Sequence, residues 1–251
     1  MDGPAPDARP PVFFAEPRDL AGSTVVLAGR EGRHAATVRR LAVGERVDLT
    51  DGAGQVAECV VTGVQPDRLA LAVQALRREP RPQPTLAVAQ ALPKGDRGQL
   101  AVELMTEAGV DVIVPWAAER CITRWQGERG GRALARWQVT AREAAKQARR
   151  AWLPEVTQPV STDGLAQQVG PAALAVLLDP SAPVPLGAVP LPGHGQILLI
   201  VGPEGGVSPA ELATLTRAGA VPASLGPTVL RTSSAGVVAA SVLLSRSGRW
   251  G

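Results

Sequence analysis

Two clusters of glycine and proline near the C-terminus hold the residues whose types and spacing could do chemistry. They are Gly202-Pro203-Glu204-Gly205-Gly206 and Leu225-Gly226-Pro227, the second running on into Val229-Leu230-Arg231-Thr232-Ser233-Ser234-Ala235-Gly236. Closely spaced glycines permit positive φ angles and let a ligand approach the backbone. The spacing matches neither the Gly-x-Gly-x-x-Gly of dinucleotide folds nor the Gly-Lys-Ser/Thr ending of a phosphate loop. Pro203 and Glu204 oppose a pyrophosphate, so a neutral or cationic ligand fits better, with backbone groups reading an adenine-like ring. The sequence offers no clustered Cys/His metal pattern, no serine nucleophile elbow and no paired histidines. Group transfer from an activated cofactor remains open, because it asks only that donor and acceptor be aligned and one proton be helped away.

The elements around these clusters must position them. Ile197 to Val201 is a continuous β-branched and leucine run, as a strand buried on both faces requires, and the first cluster ends it. Ser208-Pro209-Ala210-Glu211 reads as a helix start, with Ser208 at the N-cap, Pro209 at the first helical position and Glu211 closing a capping box. Val237 to Leu244 reads as an apolar, small-residue helix after the second cluster. Upstream, Thr85–Ala91, a helix from Asp96 to Ala108 with Leu100, Leu104 and Met105 as core candidates, and Val110–Val114 form a strand, helix, strand sequence. Leu174–Leu178 adds another buried strand, so the expected architecture is parallel α/β.

The N-terminal part reads differently. Residues 24–27, 46–50, 55–61 and 69–73 are short β-like runs, with Asp51-Gly52-Ala53-Gly54 as a hairpin loop, and together they suggest a small barrel. A proline-rich stretch at 76–85 reads as a linker, and residues 1–11 as a flexible tail. The expected domains are therefore 12–75 and 86–251.

At 251 residues and 45% hydrophobic content the chain is globular, with a net charge of +3. Lys94 and Lys146 are its only lysines, and the remaining cations are arginines, whose planar fork suits phosphate and base edges. Arg33, His34, Arg39 and Arg40 make a basic segment in the barrel region. A long helix expected over Arg132 to Trp152 would set Arg142, Lys146, Arg149 and Arg150 on one face. These residues are candidate RNA contacts, against the alternative of solvated basic surface. Cys59 and Cys121 suggest neither a disulfide framework nor a metal site. No apolar run reaches membrane-spanning length and no signal peptide is visible, which leads to the expectation of a soluble, cytoplasmic protein.

The segments LLIVGPEGGVSPAEL and LGPTVLRTSSA resemble the C-terminal motifs of the RsmE family of SPOUT-class methyltransferases, which methylate N3 of a uridine in 16S rRNA of the small ribosomal subunit. KGDRGQLAVELMTEAGVDVIVPWAAERC, EAAKQARRAWLPEV and HAATVRRLAVGERVDLTDGAG are similar to further parts of that family in the same order. The resemblance covers nearly all of residues 12 to 250. It implies a PUA-like β-barrel followed by an α/β domain with a deep trefoil knot, a homodimer, and S-adenosyl-L-methionine as cofactor. It also implies a cofactor site built from Leu178, Gly202, Glu204, Gly205, Leu225, Gly226, Leu230 and Thr232. Arg231 would either orient the uracil and stabilise negative charge on its oxygen, or form a structural salt bridge. Many family members read Arg-Thr-Glu-Thr-Ala where this chain has Arg231-Thr232-Ser233-Ser234-Ala235, so no carboxylate stands at 233 to take the proton. Glu204, Arg231 or solvent is left to handle it. Leu104 likewise stands where lysine is common. Action on another RNA position, such as a ribose 2′-hydroxyl, and a non-catalytic RNA-binding or ribosome assembly role are the alternatives.

Overall fold

The computed structural model describes residues 10–250. The expected tail at 1–11 lies outside them, apart from Pro10 and Pro11. The chain divides into two compact units, one reaching to Arg81 and including Ala145–Leu153, the other formed by Pro82–Ala144 and Pro154 onward.

In the first unit the elements run β1 (Val12–Phe14), α1 (Pro17–Leu20), β2 (Thr24–Leu27), α2 (Gly29–Arg33), a π-helical turn at His34–Val38, β3 (Arg46–Thr50), β4 (Gln55–Gln65) and β5 (Arg68–Arg78). They make a five-stranded sheet in the order β1-β3-β4-β5-β2, antiparallel except where β1 runs beside β3. Alternation along the strands turns Val47, Leu49, Leu69 and Leu71 onto one buried face with Phe13 and Leu20. Register shifts in the long β4–β5 pair, at Glu58/Cys59 and Val61/Gly63, bend the strands so that the sheet curls around that core.

Strand β5 continues to Arg78, three residues into the stretch read as a linker. Its last residues pair with the start of β4, Gln55 opposite Arg78, and this cross-strand pairing outweighs the proline signal that begins only at Pro80. The second difference is the inclusion of Ala145–Leu153. Thr50 Oγ1 donates to the carbonyl of Ala151 at 3.1 Å, and Trp152 Nε1 donates to the carbonyl of Glu79 at 3.1 Å. Gly54, with φ +93°, makes this possible: a Cβ there would stand 2.6 Å from the Trp152 ring.

The second unit contains β6 (Thr85–Ala91), α3 (Arg97–Ala108), β7 (Val112–Trp116), α4 (Gly127–Gln147, whose last residues belong to the first unit), β8 (Glu155–Val156), α5 (Thr162–Val169), β9 (Leu174–Leu178), β10 (Gln196–Val201), α6 (Pro209–Arg217), β11 (Val221–Ala223) and α7 (Thr232–Arg246). Its six strands are ordered β11-β9-β10-β6-β7-β8 and all their pairings are parallel. The central strands β10 and β6 are buried along nearly their whole length, as helix-covered parallel strands must be. The capping box forms as expected: the Ser208 hydroxyl accepts from Glu211 N, and Glu211 accepts from Ser208 N. At the amino ends of the strands, Arg249 Nη1 meets Asp111 Oδ2 at 2.6 Å, both side chains nearly buried, and Asp111 Oδ2 also accepts from Leu86 N at 2.8 Å. This pair fixes the chain end at the sheet edge opposite the glycine clusters.

Three helix expectations need correction. Leu100 is 43% exposed, because the inner face of α3 is made of Ala101, Val102 and Met105, which pack toward α7. Helix α7 begins at Thr232, five residues before the expected start, since Ser233 and Ser234 occupy its first turn, where small polar residues are well tolerated. Helix α4 stops at Gln147, short of Trp152: Arg149 takes φ +55°, and Arg150 N and Arg149 N turn back to the carbonyls of Ala145 and Lys146. That bond pair is a left-handed helix end, with arginine in the position glycine usually holds. No helix among the described residues is long and apolar enough to cross a membrane.

Candidate functional site

The carboxyl ends of parallel strands are where an open α/β sheet exposes its connecting loops, and ligands collect there. Beyond β9 and β10, the two glycine-marked loops enclose a cavity of about 500 Å³, a volume suited to a small organic ligand. Leu178 from β9, Gly202 and Glu204 from the first loop, and Leu225, Gly226 and Leu230 from the second line it. Arg231 and Thr232 close it at the start of α7. Gly226 has φ +128°, which only glycine adopts without strain, so the turn that delivers Leu225 and Leu230 depends on it.

Gly205 does not line the cavity. A Cβ at this position would stand 3.2 Å from the Arg120 Cβ, and Arg120 Nη1 donates to its carbonyl at 3.1 Å. Its role is to let the segment carrying Arg120 lie against the first loop. Sequence reasoning passed over both Arg120 and Asp179, which joins the cavity wall just after Leu178. Neither carries a local signal, since single charged residues in coil look like ordinary surface.

The wall chemistry combines apolar leucine side chains with two carboxylates, Asp179 and Glu204, and one guanidinium, Arg231. A ligand with a flat apolar ring and positive charge of its own matches this set. Asp179 is oriented by accepting from Ser181 N at 2.8 Å and Ser181 Oγ at 2.7 Å. Glu204 receives a long bond, 3.4 Å, from the backbone N–H of Lys94. Arg231 is the exposed N-cap residue of α7, its carbonyl bonded by Ser234 N and Ala235 N at 2.9 Å, and its guanidinium has no ion partner among the described residues. Of its two candidate roles, the structure therefore lacks the salt bridge.

The floor of the site is held by buried polar groups. Gln90, fully buried at the end of β6, donates from Nε2 to the carbonyl of Thr232 at 3.3 Å and so ties the start of α7 to the sheet. Ser233 is 3% exposed within the first turn of α7. Glu211, 5% exposed, accepts from Ser208 N at 3.1 Å, Glu119 N at 2.8 Å and Thr162 Oγ1 at 2.7 Å. One carboxylate thereby fixes the start of α6, the start of α5 and the backbone just before Arg120. Burial pushes the Cys121 thiol above its ordinary value, as in an apolar, structural cysteine.

The candidate RNA contacts are not gathered in the same way. In the first unit Arg33, Arg39 and Arg40 are exposed, Arg40 with φ +53°, while His34 is half-buried with its ring edge-on to Phe13 at 6.0 Å. Lys146 is nearly buried and pairs with Glu31 at 2.9 Å, its ammonium 5.2 Å from the Phe13 ring centre. It is a structural cation of this unit, because the low-dielectric surroundings demand a partner for any charge placed there. Arg149 is exposed and Arg150 half-buried, both past the helix end, so the single helical face expected for Arg142, Lys146, Arg149 and Arg150 does not exist. Arg142 is exposed on α4.

Comparison with known proteins places this geometry. An RNA methyltransferase domain model matches residues 79–244, and an RNA methyltransferase PUA domain model matches residues 27–74. The chain is 43% identical over 245 residues to ribosomal RNA small subunit methyltransferase E of Mycobacterium bovis, covering 95% of this chain and 93% of the relative. A Legionella pneumophila protein solved in complex with bound S-adenosylmethionine superposes with a TM-score of 0.84 at 28% identity, over 95% of this chain and 98% of that one. The Neisseria gonorrhoeae ribosomal RNA small subunit methyltransferase E, solved bound to S-adenosyl methionine, gives a TM-score of 0.82 at 25% identity, over 95% and 98%. This chain belongs to the ribosomal RNA small subunit methyltransferase E family, with a SPOUT-class α/β RNA methyltransferase domain preceded by a PUA-like β domain.

Proposed function

We propose that the protein transfers a methyl group from S-adenosyl-L-methionine to N3 of a uridine in 16S rRNA of the small ribosomal subunit. The observation that carries this reading is the convergence of both glycine-marked loops, Asp179, Glu204 and Arg231 on one cavity at the strand ends. Bound there, the cofactor supplies a methyl group made electrophilic by its sulfonium centre. Of the residues lining the cavity, Leu178, Leu225 and Leu230 would offer apolar cover to its adenine ring, Gly202 and Gly226 would leave room at the backbone, and the carboxylates of Asp179 and Glu204 would offset its positive charge. Arg231 holds an oxygen of the uracil and stabilises the negative charge that spreads there as the N3 proton leaves. Ser233, buried and without a carboxylate, does not take that proton; Glu204 or water does.

The same reading makes the first unit, which reaches to Arg81 and includes Ala145–Leu153, an RNA-binding domain and the second unit a catalytic domain, gives the latter a deep trefoil knot, and has the protein act as a homodimer in the cytoplasm, where ribosomes are assembled. Arg33, Arg39, Arg40, Arg142, Arg149 and Arg150 supply phosphate contacts, and RNA affinity falls steeply with salt. The test is methyl transfer to small subunits lacking the modification, with the product nucleoside mapped by mass spectrometry. The expected product is N3-methyluridine. A methyl group on a ribose oxygen, or no transfer by protein that binds the cofactor, contradicts the proposal.

A further inference from the structure

A second cavity, of about 230 Å³, opens between the start of α3 and the first half of α4. Asp96, Gly98, Thr123, Trp125, Arg136 and Trp137 form its working wall. The two tryptophans meet edge to face, centres 4.9 Å apart at 79°. Trp137 is 4% exposed, and its indole N–H has no hydrogen-bond partner among the described residues. Here its edge lies against Gly98, where a Cβ would stand 2.8 Å from Nε1, so the glycine is what leaves that donor open to the cavity.

This cavity neighbours the first one. Thr123 Oγ1 donates to the carbonyl of Pro93 at 2.9 Å, and the next residue, Lys94, donates its N–H to Glu204 Oε1 at 3.4 Å. Pro93 and Thr123 line the second cavity, and Glu204 lines the first. One peptide therefore separates them.

We infer that the second cavity receives one unstacked nucleotide of the RNA substrate beside the nucleotide being modified; the inference rests on the RNA methyltransferase reading above. Single-stranded RNA is read by bases splayed onto aromatic side chains and hydrogen-bonded along their edges, with arginine at the phosphates. The half-buried Trp125 supplies the aromatic surface, Trp137 Nε1–H donates to a base carbonyl, the Asp96 carboxylate accepts from a base N–H, and the exposed Arg136 holds the phosphate.

The experiment measures binding of a fluorescein-labelled, uridine-rich single-stranded RNA oligonucleotide to the full chain and to Trp137→Phe and Arg136→Ala. The first variant keeps the ring and removes the donor. The second changes an exposed side chain and keeps the fold if Trp137→Phe loses it. Each is expected to bind the probe about tenfold more weakly. S-adenosylmethionine affinity should be unchanged, and the KM for the ribosomal substrate should rise with kcat little altered. Probe binding equal to the parent in a folded variant overturns the inference. Weakened probe binding in a protein that transfers no methyl group supports the pocket and sinks the enzymatic reading instead, so the two failures are distinct.

Discussion

The loops around the first cavity and the basic stretch from Arg142 to Arg150 both drew attention in the sequence, and they fared differently in the fold. The loops converge because their geometry is written locally: an apolar strand that must be buried, a glycine at positive φ in Gly226, a capping box that sets where α6 begins. The basic stretch scatters because the fate of a charge depends on a partner far away in sequence. Lys146 is taken up by Glu31, 115 residues earlier, while Arg149 turns the chain out of α4 with no glycine to announce it. Backbone punctuation is a better guide to a site than a periodic run of charge.

The sharpest way to break this comparison is Lys146→Ala. It leaves Glu31 nearly buried without its partner, and the expected cost is about 3 kcal/mol in chemical denaturation. RNA affinity of the remaining folded protein should change little; a variant of parental stability with weakened RNA binding would return Lys146 to the RNA surface. Arg231→Ala probes the other region. With no ion partner to lose, it should leave thermal stability unchanged and lower turnover about a hundredfold, the effect of removing one donor from a developing oxyanion. Full activity would remove Arg231 from the chemistry.

Arg149→Gly should raise stability by about 1 kcal/mol, because glycine holds the left-handed conformation without the steric cost arginine bears. If Arg149 contacts phosphate, the same change weakens RNA binding and flattens its salt dependence, so stability and affinity move in opposite directions. Smallest is a pH effect at Asp48 in the β domain. Burial, the largest influence, raises its pKa above the ordinary 3.8 despite the Arg77 guanidinium 3.5 Å away. A carboxyl raised on folding contributes stability that is full below its unfolded value and is lost as pH rises through the folded one. Asp48→Asn is therefore expected to raise Tm at pH 7, with the gain shrinking as pH falls toward 3.8.

The strands flanking the site were legible because burial on both faces leaves a continuous apolar run, as in Ile197–Val201. The attachment of Ala145–Leu153 to the β domain was not, since it depends on Trp152 reaching Glu79 over a glycine 98 residues before it in the chain, a contact with no local pattern. Leu100 misled for a related reason: α3 packs through alanine and valine, and a leucine at the right spacing is no guarantee of the inner face. Arg120 stayed invisible because the backbone just before it is held by Glu211, whose own signature is that of a helix cap, and its guanidinium reaches the carbonyl of Gly205, 85 residues later. Apart from Asp179, the cavity residues the site rests on stand in the two punctuated loops and at the end of one buried strand; the supports beneath them, Gln90, Glu211 and Arg120, exist only once the strands have been brought together.

Calorimetric titration of S-adenosyl-L-methionine into the parent chain, Gly226→Val and Arg149→Gly tests the central claim most directly. Saturable binding by the parent and Arg149→Gly, and its loss in a Gly226→Val variant that remains folded, is the expected result. No binding by the parent, or binding of parental strength in Gly226→Val, would contradict the assignment of this cavity to the cofactor.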